Sequence, residues 1–157
     1  MKIEIIQDDL EDGAVLVLLN EHLKEMLKYS PSESIHALDP ETLNDRSITF
    51  WSARVNGEIA GCIALKEIDD NFGEIKSMKT SRLFLRKGVA ESLLQLVLKE
   101  AKMRAYSTIG LETGSNEAFA PAVALYKKHG FEECGPFGNY ELDVFSKFFR
   151  KGLQLNT

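Results

Sequence analysis

The spacing of apolar positions divides the chain into strand-like and helix-like segments. Residues 2–6 alternate polar and apolar side chains, as in a half-buried strand. Residues 11–29 have apolar side chains at intervals of three and four, which predicts a helix. Ser30-Pro31-Ser32 predicts its end, and residues 31–46 are polar, with room for a short helix after Pro40. The predicted inward face of the first helix consists of Leu16, Leu19, Leu23, Met26 and Leu27.

Three successive strands are predicted next, over residues 49–55, 58–67 and 74–80. Asn56-Gly57 lies between the first two, and this pair is typical of a type I′ hairpin turn because both central positions need positive φ. A long helix is predicted after Gly88. Its apolar stripe contains Ala90, Leu93, Leu94, Val97 and Ala101.

The last third of the chain again mixes strands and helices. We predict a strand over residues 108–113 and a helix over 118–128, which His129-Gly130 ends. Two strands, over residues 131–134 and 144–151, complete the order β-α-β-β-β-α-β-α-β-β. Strands in succession, followed by a strand–helix–strand unit, predict an α/β (α+β) protein with a mixed sheet and helices on both faces.

Composition narrows the function classes. A chain of 157 residues predicts one domain over residues 1–157. The net charge of −5 argues against non-specific nucleic-acid binding, which needs a basic surface. With no long apolar run and no secretory signal, we expect a cytoplasmic protein without a membrane partner. Cys62 and Cys134 lack a CxxC spacing, so we expect small buried thiols and no metal site.

The residues at the junction before the long helix suit an anionic ligand. Gly88 lets the backbone approach a ligand closely, and the first amides of a helix have no intrahelical acceptor. These amides and the helix dipole attract a pyrophosphate, and Arg86 and Lys87 add positive charge. Many helices begin with Gly and basic residues, so this pattern alone favours a solvated helix end.

Longer sequence patterns point to one family. Gly88-x-Ala90 resembles the second half of motif A of the GNAT superfamily, Gln/Arg-x-x-Gly-x-Gly/Ala, although Leu85 replaces the Gln/Arg. Residues 124–131, with Ala124, Tyr126 and Gly130-Phe131, resemble GNAT motif B, written A-x-Y-x-x-x-G-F. The preceding Leu111-Glu112-Thr113-Gly114 resembles the fifth strand of that family. Nearly the whole chain is similar to the bacterial YsnE-like acetyltransferases, through His36-Ala37-Leu38-Asp39, Ile48-Thr49-Phe50-Trp51, residues 73–80 and Pro136-Phe137-Gly138-x-Tyr140.

The resemblance implies the GNAT fold, with a mostly antiparallel sheet of about seven strands, and acetyl-CoA as co-substrate. It implies transfer of an acetyl group to a primary amine by direct attack in a ternary complex. The pyrophosphate would bind at the junction, at Leu85, Arg86, Lys87, Gly88, Val89 and Ala90. Met78 and Thr80 would pair through their backbone with pantetheine, and the Met78 amide would stabilise the oxyanion.

The resemblance also suggests catalytic roles. Glu74 is the candidate general base, with Glu112 in reserve, and each has the alternative of a structural or surface carboxylate. Tyr126 is the candidate general acid, since a phenol stays protonated at neutral pH; alternatively it is a core aromatic. His22 and His129 are given no catalytic role, and His129 is expected at a helix C-terminus.

The acceptor is left open by the sequence. His36 with Asp39 is one candidate pair for its site, and Phe137, Tyr140 and Glu112 are others. A closed pocket under residues 30–46 would favour a small amine, whereas an open acidic groove would favour a protein lysine or N-terminus. A non-catalytic acetyl-CoA-binding module is the remaining alternative. A dinucleotide-dependent oxidoreductase is excluded, because no G-x-G-x-x-G follows the first strand. GNAT proteins commonly pair through their C-terminal strands, so a homodimer stays open.

Overall fold

A computed structural model describes residues 1–35 and 45–153 of the chain. Its described strands form one seven-stranded sheet in the order β1-β2-β3-β4-β5-β7-β6. The β4–β5 pair is parallel and the other described pairs are antiparallel. The strands are β1 (Glu4–Asp8), β2 (Ile48–Val55), β3 (Glu58–Asp69), β4 (Phe72–Thr80), β5 (Thr108–Gly114), β6 (Glu132–Cys134) and β7 (Ser146–Gly152).

Within the described ranges three α-helices complete the predicted order, which is confirmed. They are α1 (Ala14–Tyr29), α2 (Val89–Met103) and α3 (Ala120–Lys128), and short 3-10 turns cover Ser32–Ser34, Arg82–Phe84 and Glu117–Phe119. The short helix allowed for after Pro40 falls outside the described residues. No helix among residues 1–35 and 45–153 has the length and hydropathy that a membrane span requires.

Local capping moves two predicted boundaries. The first helix starts at Ala14, not at residue 11, because Gly13 has a φ of 79° and the Asp12 side chain accepts a hydrogen bond from the Ala14 amide. The last strand starts at Ser146, not at residue 144. The Asp143 side chain accepts a hydrogen bond from the Phe145 amide, which holds the chain in a turn until that point.

Two apolar cores lie against the sheet. The smaller joins α1 to strands β2 and β3 through Val15, Leu18, Phe50, Cys62 and Ala64. The larger contains α2 and the alternate residues of the same strands, among them Trp51, Ile63, Leu65, Leu93, Leu94 and Val97. Because successive strand residues point to opposite faces, this division gives helices on both faces of the sheet and places Trp51 in the larger core. Cys62 is buried as expected, but Cys134 is only half-buried.

The predicted inward face of α1 is partly wrong. Leu16, Leu23 and Leu27 are exposed, whereas Val15 and Leu18 are buried. Residues 14–19 are all apolar, so spacing alone fits two adjacent stripes. The inward stripe continues through His22 and Met26, which places a histidine against the sheet.

Asn56-Gly57 forms the predicted turn, with φ angles of 51° and 80°. The left-handed conformation at both positions matches a type I′ hairpin between β2 and β3. This turn fixes the register of β2 and β3, in which Val55 pairs with Glu58.

Candidate active site

Strands β4 and β5 separate halfway along their length. They pair from Phe72–Thr108 as far as Ile75–Leu111, and the register ends there. However, β4 continues to Thr80 and β5 to Gly114. The backbone groups that face the gap are therefore available to a third, strand-like ligand.

A β-bulge in β4 lies at the start of this gap. Cys62 pairs with Lys79 and Ala64 with Lys76, so two residues, Ser77 and Met78, oppose one residue of β3. Ser77 has a φ of 55°, an unusual conformation for a residue other than glycine. Bulges interrupt a ladder and re-aim the groups beside them, and here the bulge turns β4 away from β5.

The gap opens into a cleft of about 680 Å³, including the solvent at its open side. Its walls come from α1, β4, β5 and α3, and the 3-10 turn at Ser32–Ser34 borders it. A second lobe of about 330 Å³ shares Lys76, Ser77 and Glu112 with the first and extends to Glu74 and Tyr140. We call these two spaces the main cleft and the side lobe.

Tyr126 lies in the wall of the main cleft. Helix α3 presents it inward, and its ring packs edge-on against Phe131 while only 6% of the residue is exposed. Among the described residues none hydrogen-bonds its hydroxyl. Burial, with a smaller effect of the nearby Glu112 charge, raises the pKa of Tyr126 above its ordinary value. The phenol is therefore protonated at neutral pH and can donate a hydrogen bond into the cleft.

Glu74 is buried in the side lobe, with 3% of the residue exposed. The Tyr140 hydroxyl donates a 2.5 Å hydrogen bond to its Oε2 atom. Lys76 Nζ lies 3.4 Å from the same oxygen and donates a 3.0 Å hydrogen bond to the Tyr140 hydroxyl. The strand that contains Glu74 begins two residues earlier than predicted, at Phe72, because Gly73 already pairs with β5. Glu74 is thus a paired, interior carboxylate and not an exposed one.

Glu112 borders both the main cleft and the side lobe. Burial raises the pKa of its carboxyl from 4.5 to about 7. Ser146 and the Lys76 charge oppose this rise, whereas the Glu74 and Asp143 charges add to it. A carboxyl with a pKa near neutrality can exchange a proton at physiological pH, which is the property of a general acid or base.

His22 is a cleft residue to which the sequence analysis assigned no role. It is half-buried on the inward stripe of α1 and borders both spaces. Burial, followed by the Lys79 charge, lowers the pKa of its imidazole to about 4, so it is neutral at pH 7. The signal that could have located it is its spacing from Val15, Leu18 and Met26 along one helix face.

The other candidate acceptor residues are only partly brought together. Tyr140 borders the side lobe, but Phe137 does not, and instead packs on Tyr140, Phe72 and Phe148. His36 and Asp39 fall outside the described residues. Within the described ranges no cluster of His, Cys, Asp and Glu could hold a metal ion.

The loop before α2 lies on the surface. Arg86 and Gly88 have φ angles of 60° and 84°, and Lys87 lies exposed between them. A Cβ placed on Gly88 would meet no atom within 4 Å, so the space above this loop is open. Leu85 is 55% exposed, which leaves its side chain outside the core.

Nearby, the last turn of α3 contacts the first turn of α2. Glu91 accepts from Lys128 at 2.7 Å and lies 2.8 Å from the His129 ring. These contacts lower the pKa of Glu91. His129 is the C-cap residue of α3, as predicted. Its contact with Glu91 connects the two motif-bearing helices.

Three features occur together here: a split β4–β5 pair, an open helix N-terminus after β4, and an inward tyrosine on α3. Comparison with known proteins identifies this combination. The profile of the acetyltransferase (GNAT) family matches residues 16–131. The chain belongs to the GNAT acetyltransferase family. Full-length relatives agree with this assignment: the chain is 52% identical over 146 residues to YsnE of Bacillus subtilis (strain 168), an uncharacterized N-acetyltransferase, and the match covers 93% of this chain and 97% of YsnE.

Two further comparisons extend the GNAT assignment. YedL of Escherichia coli (strain K12), also an uncharacterized N-acetyltransferase, is 45% identical over 141 residues, which are 90% of this chain and 89% of YedL. PaiA N-acetyltransferase of Thermoplasma acidophilum, solved with coenzyme A, has the same fold: the TM-score is 0.74 at 20% identity, over 97% of this chain and 99% of that one. The chain is accordingly an enzyme, an N-acetyltransferase.

The GNAT family uses acetyl-CoA, and the residues of this chain fit that co-substrate. The gap between β4 and β5 exposes backbone groups for an extended amide-containing arm. The first amides of α2 and the exposed Arg86 and Lys87 suit its phosphates. The open space above Gly88 allows close approach of a phosphate to the backbone.

Proposed function

We propose that this GNAT protein transfers the acetyl group of acetyl-CoA to a primary amine by direct attack in a ternary complex. The observation that carries the proposal is the split cleft itself. It has a protonated phenol, Tyr126, in one wall and a carboxyl with a pKa near 7, Glu112, in another. A donor and a base that border one cavity are the two proton-transfer groups that the reaction needs.

Acetyl-CoA binds along the gap in this proposal. Its pyrophosphate contacts the loop and first helical turn from Leu85 to Ala90. Pantetheine pairs with the backbone of Met78 and Thr80, and the thioester then lies in the main cleft. The Ser77 bulge supports this arrangement, since it interrupts the β3–β4 ladder next to Met78. An amide freed there, that of Met78, stabilises the oxyanion of the tetrahedral intermediate.

The proton of the acceptor ammonium goes to a carboxylate. Glu112 is favoured because its raised pKa matches a base that works near pH 7. Glu74 is the alternative base, but its Oε2 atom already has two partners, the Tyr140 hydroxyl and the Lys76 ammonium. In either case the neutral amine attacks the thioester carbon from the side lobe.

Bond changes then balance within the cleft. The new N–C bond forms as the carbonyl becomes a tetrahedral oxyanion, and the attacking nitrogen, now positively charged, loses a second proton to solvent. The C–S bond breaks as the carbonyl re-forms. The sulfur leaves as a thiolate and takes a proton from Tyr126, which the base restores through solvent. Close placement of amine and thioester supplies much of the rate acceleration.

The acceptor binds in the side lobe, between Glu112 and Tyr140. Two carboxylates against one lysine give this lobe an acidic balance that suits an ammonium group. The Phe137 ring packs edge-to-face against the Tyr140 ring, with the ring centroids 5.4 Å apart.

Release of CoA, measured with a panel of primary amines, tests the proposal. Wild type should release CoA with at least one amine, and Glu112→Gln should lower kcat/KM by about a hundredfold or more. The loss should shrink at high pH, where free amine is abundant. Glu74→Gln is the matched variant: if it alone shows this pH-dependent loss, Glu74 is the base. Acetyl-CoA binding without turnover on any amine would instead identify a non-catalytic module.

A further inference from the structure

Lys76 is a mostly buried cation in the side lobe. Its side chain is 11% exposed and that of Glu74 is 5% exposed. The two residues are two positions apart in β4, so their side chains lie on one face of the strand. An ammonium removed from water to this extent is costly unless charged and polar partners surround it.

Its partners come from two distant parts of the chain. Lys76 Nζ donates to the Tyr140 hydroxyl at 3.0 Å and lies 5.7 Å from the centre of the same ring. It also lies 3.4 Å from Glu74 Oε2, to which the Tyr140 hydroxyl donates. The three groups form a closed triangle that joins β4 to the loop between β6 and β7. Loss of Lys76 would leave the Glu74 charge without its cation.

Lys76 also acts on Glu112 from the neighbouring strand. Lys76 and Glu112 both border the main cleft and the side lobe. The groups that act on the Glu112 carboxyl are Lys76 and Glu74 of β4, Ser146 of β7 and Asp143 of the preceding loop. Tyr126 of α3, Tyr140 of the loop and the neutral His22 of α1 border the same space. Of these groups Lys76 is the cation, and its charge lowers the pKa of Glu112 against two like-charged carboxylates.

We propose that Lys76 is a positioning residue, which holds Glu74 and Tyr140 in one arrangement and supplies the positive charge beside Glu112. In this proposal Lys76 acts through Glu74, Tyr140 and Glu112 and not on the reacting atoms themselves. The inference rests on the proposed function in one respect, namely that the ionised Glu112 carboxylate is the base that takes the proton from the acceptor ammonium. Without the lysine charge, Glu112 stays protonated to a higher pH, and the acceptor ammonium then lacks an ionised base to take its proton.

The kinetic test is the pH profile of kcat/KM for Lys76→Met, which keeps side-chain length and removes the charge. The acidic limb of the profile should move up by about one pH unit, with up to about tenfold less activity on that side. Lys76→Arg should restore the wild-type limb. Lys99→Met, on the exposed side of α2, removes the same charge far from the site and should leave the profile unchanged. Lys76→Gln, which keeps a donor for Tyr140, replaces Lys76→Met if that variant does not fold.

Carbon-13 NMR separates this inference from the proposed function. The Glu112 carboxyl signal, assigned by its loss in Glu112→Gln, should titrate at higher pH in Lys76→Met than in wild type. Suppose that the Glu112 titration moves to higher pH in Lys76→Met, but the wild-type pH profile of kcat/KM does not match the Glu112 titration. Glu112 is then not the base, whereas the effect of the Lys76 charge on Glu112 is supported. If Lys76→Met lowers activity but moves neither the Glu112 titration nor the limb, Lys76 is only structural and the inference is overturned.

Discussion

The Tyr140 hydroxyl donates a 2.5 Å hydrogen bond to Oε2 of Glu74, a residue 66 positions earlier in the chain. This contact attaches the loop between β6 and β7 to the middle of the sheet, at the edge of the side lobe. It also satisfies a carboxylate that is otherwise expensive to bury. Burial and the Glu74 charge both raise the pKa of Tyr140, so the phenol remains a donor at neutral pH.

Tyr140→Phe should therefore weaken acceptor binding. Removal of the hydroxyl releases the loop from Glu74, so KM for the amine should rise several-fold while acetyl-CoA affinity stays unchanged, because Tyr140 borders only the side lobe. The free energy of unfolding should fall by about 1–3 kcal/mol, since a buried carboxylate loses its donor. Steady-state kinetics and calorimetry on the same preparation measure both effects.

Tyr106→Phe is the matched control for Tyr140→Phe. The Tyr106 hydroxyl donates to Glu67 at 2.7 Å, again a phenol paired with a glutamate, at the opposite end of the sheet from the gap. It should cost less stability than Tyr140→Phe, because Glu67 is exposed to solvent, and it should leave the amine KM unchanged. If the two variants raise that KM equally, the Tyr140 contact has no specific role in the acceptor site.

Local sequence patterns predicted the elements of the fold well. Asn56-Gly57 specifies its own turn because these two residue types readily adopt the positive φ angles that the turn requires. Gly88 and Tyr126 could be named as candidates because their family motifs are short and contiguous. Where several consecutive residues are apolar, as in residues 14–19, the helical spacing of apolar residues no longer selects one face. For this reason the predicted inward stripe of α1 was misplaced by one residue.

The candidate site was predictable only in part, because its key contacts are long-range. Nothing near Glu74 in the sequence indicates that Tyr140 will reach it, since that depends on how the β6–β7 loop folds back. The Ser77 bulge depends on a register shift between two strands, which no single-strand pattern encodes. The raised pKa of Glu112 arises from burial by several elements together.

Gly88→Ala should reduce acetyl-CoA affinity about tenfold or more, close to 1.4 kcal/mol. The added methyl group projects into the open space proposed for the phosphates and meets no protein atom within 4 Å.

Gly57→Ala is the control: Gly57 has a φ of 80° against 84° for Gly88 and a Cβ there is equally unobstructed. Both variants should lose about 1–2 kcal/mol of stability through the left-handed conformation, but only Gly88→Ala should bind acetyl-CoA more weakly. Equal affinities by calorimetry would remove this loop from the phosphate site.

Glu112→Gln should stabilise the protein in a pH-dependent way. The folded-state pKa of Glu112 is raised from 4.5 to about 7, so the folded protein holds this proton more tightly than the unfolded chain. The contribution of the protonated Glu112 carboxyl to the free energy of unfolding is fully present below pH 4.5 and is lost as the pH rises through about 7. Glutamine has no proton to lose, so the variant's advantage should grow over this range and then level off, on the order of 1–3 kcal/mol. Chemical denaturation at pH 4.5, 6 and 8 measures it, and a constant difference across these values would contradict a raised pKa.

Tyr126→Phe separates an enzyme from a binding module. The hydroxyl lies in the main cleft without a described partner, so its loss leaves no buried group unsatisfied and the ring still packs on Phe131. Stability and acetyl-CoA affinity should therefore change little.

Turnover of Tyr126→Phe should nevertheless fall by roughly tenfold to a thousandfold, because the proton is needed only as the sulfur becomes a thiolate. A donor whose leaving group has a lower pKa needs that proton less, so an activated acetyl ester should show a smaller defect. Wild type and variant are compared by binding constant and steady-state rate on the same preparation. Equal rates would make Tyr126 a core aromatic, and a large loss of affinity would make its hydroxyl structural. A rate loss at constant binding, reduced with the activated ester, is the result that the general-acid role requires.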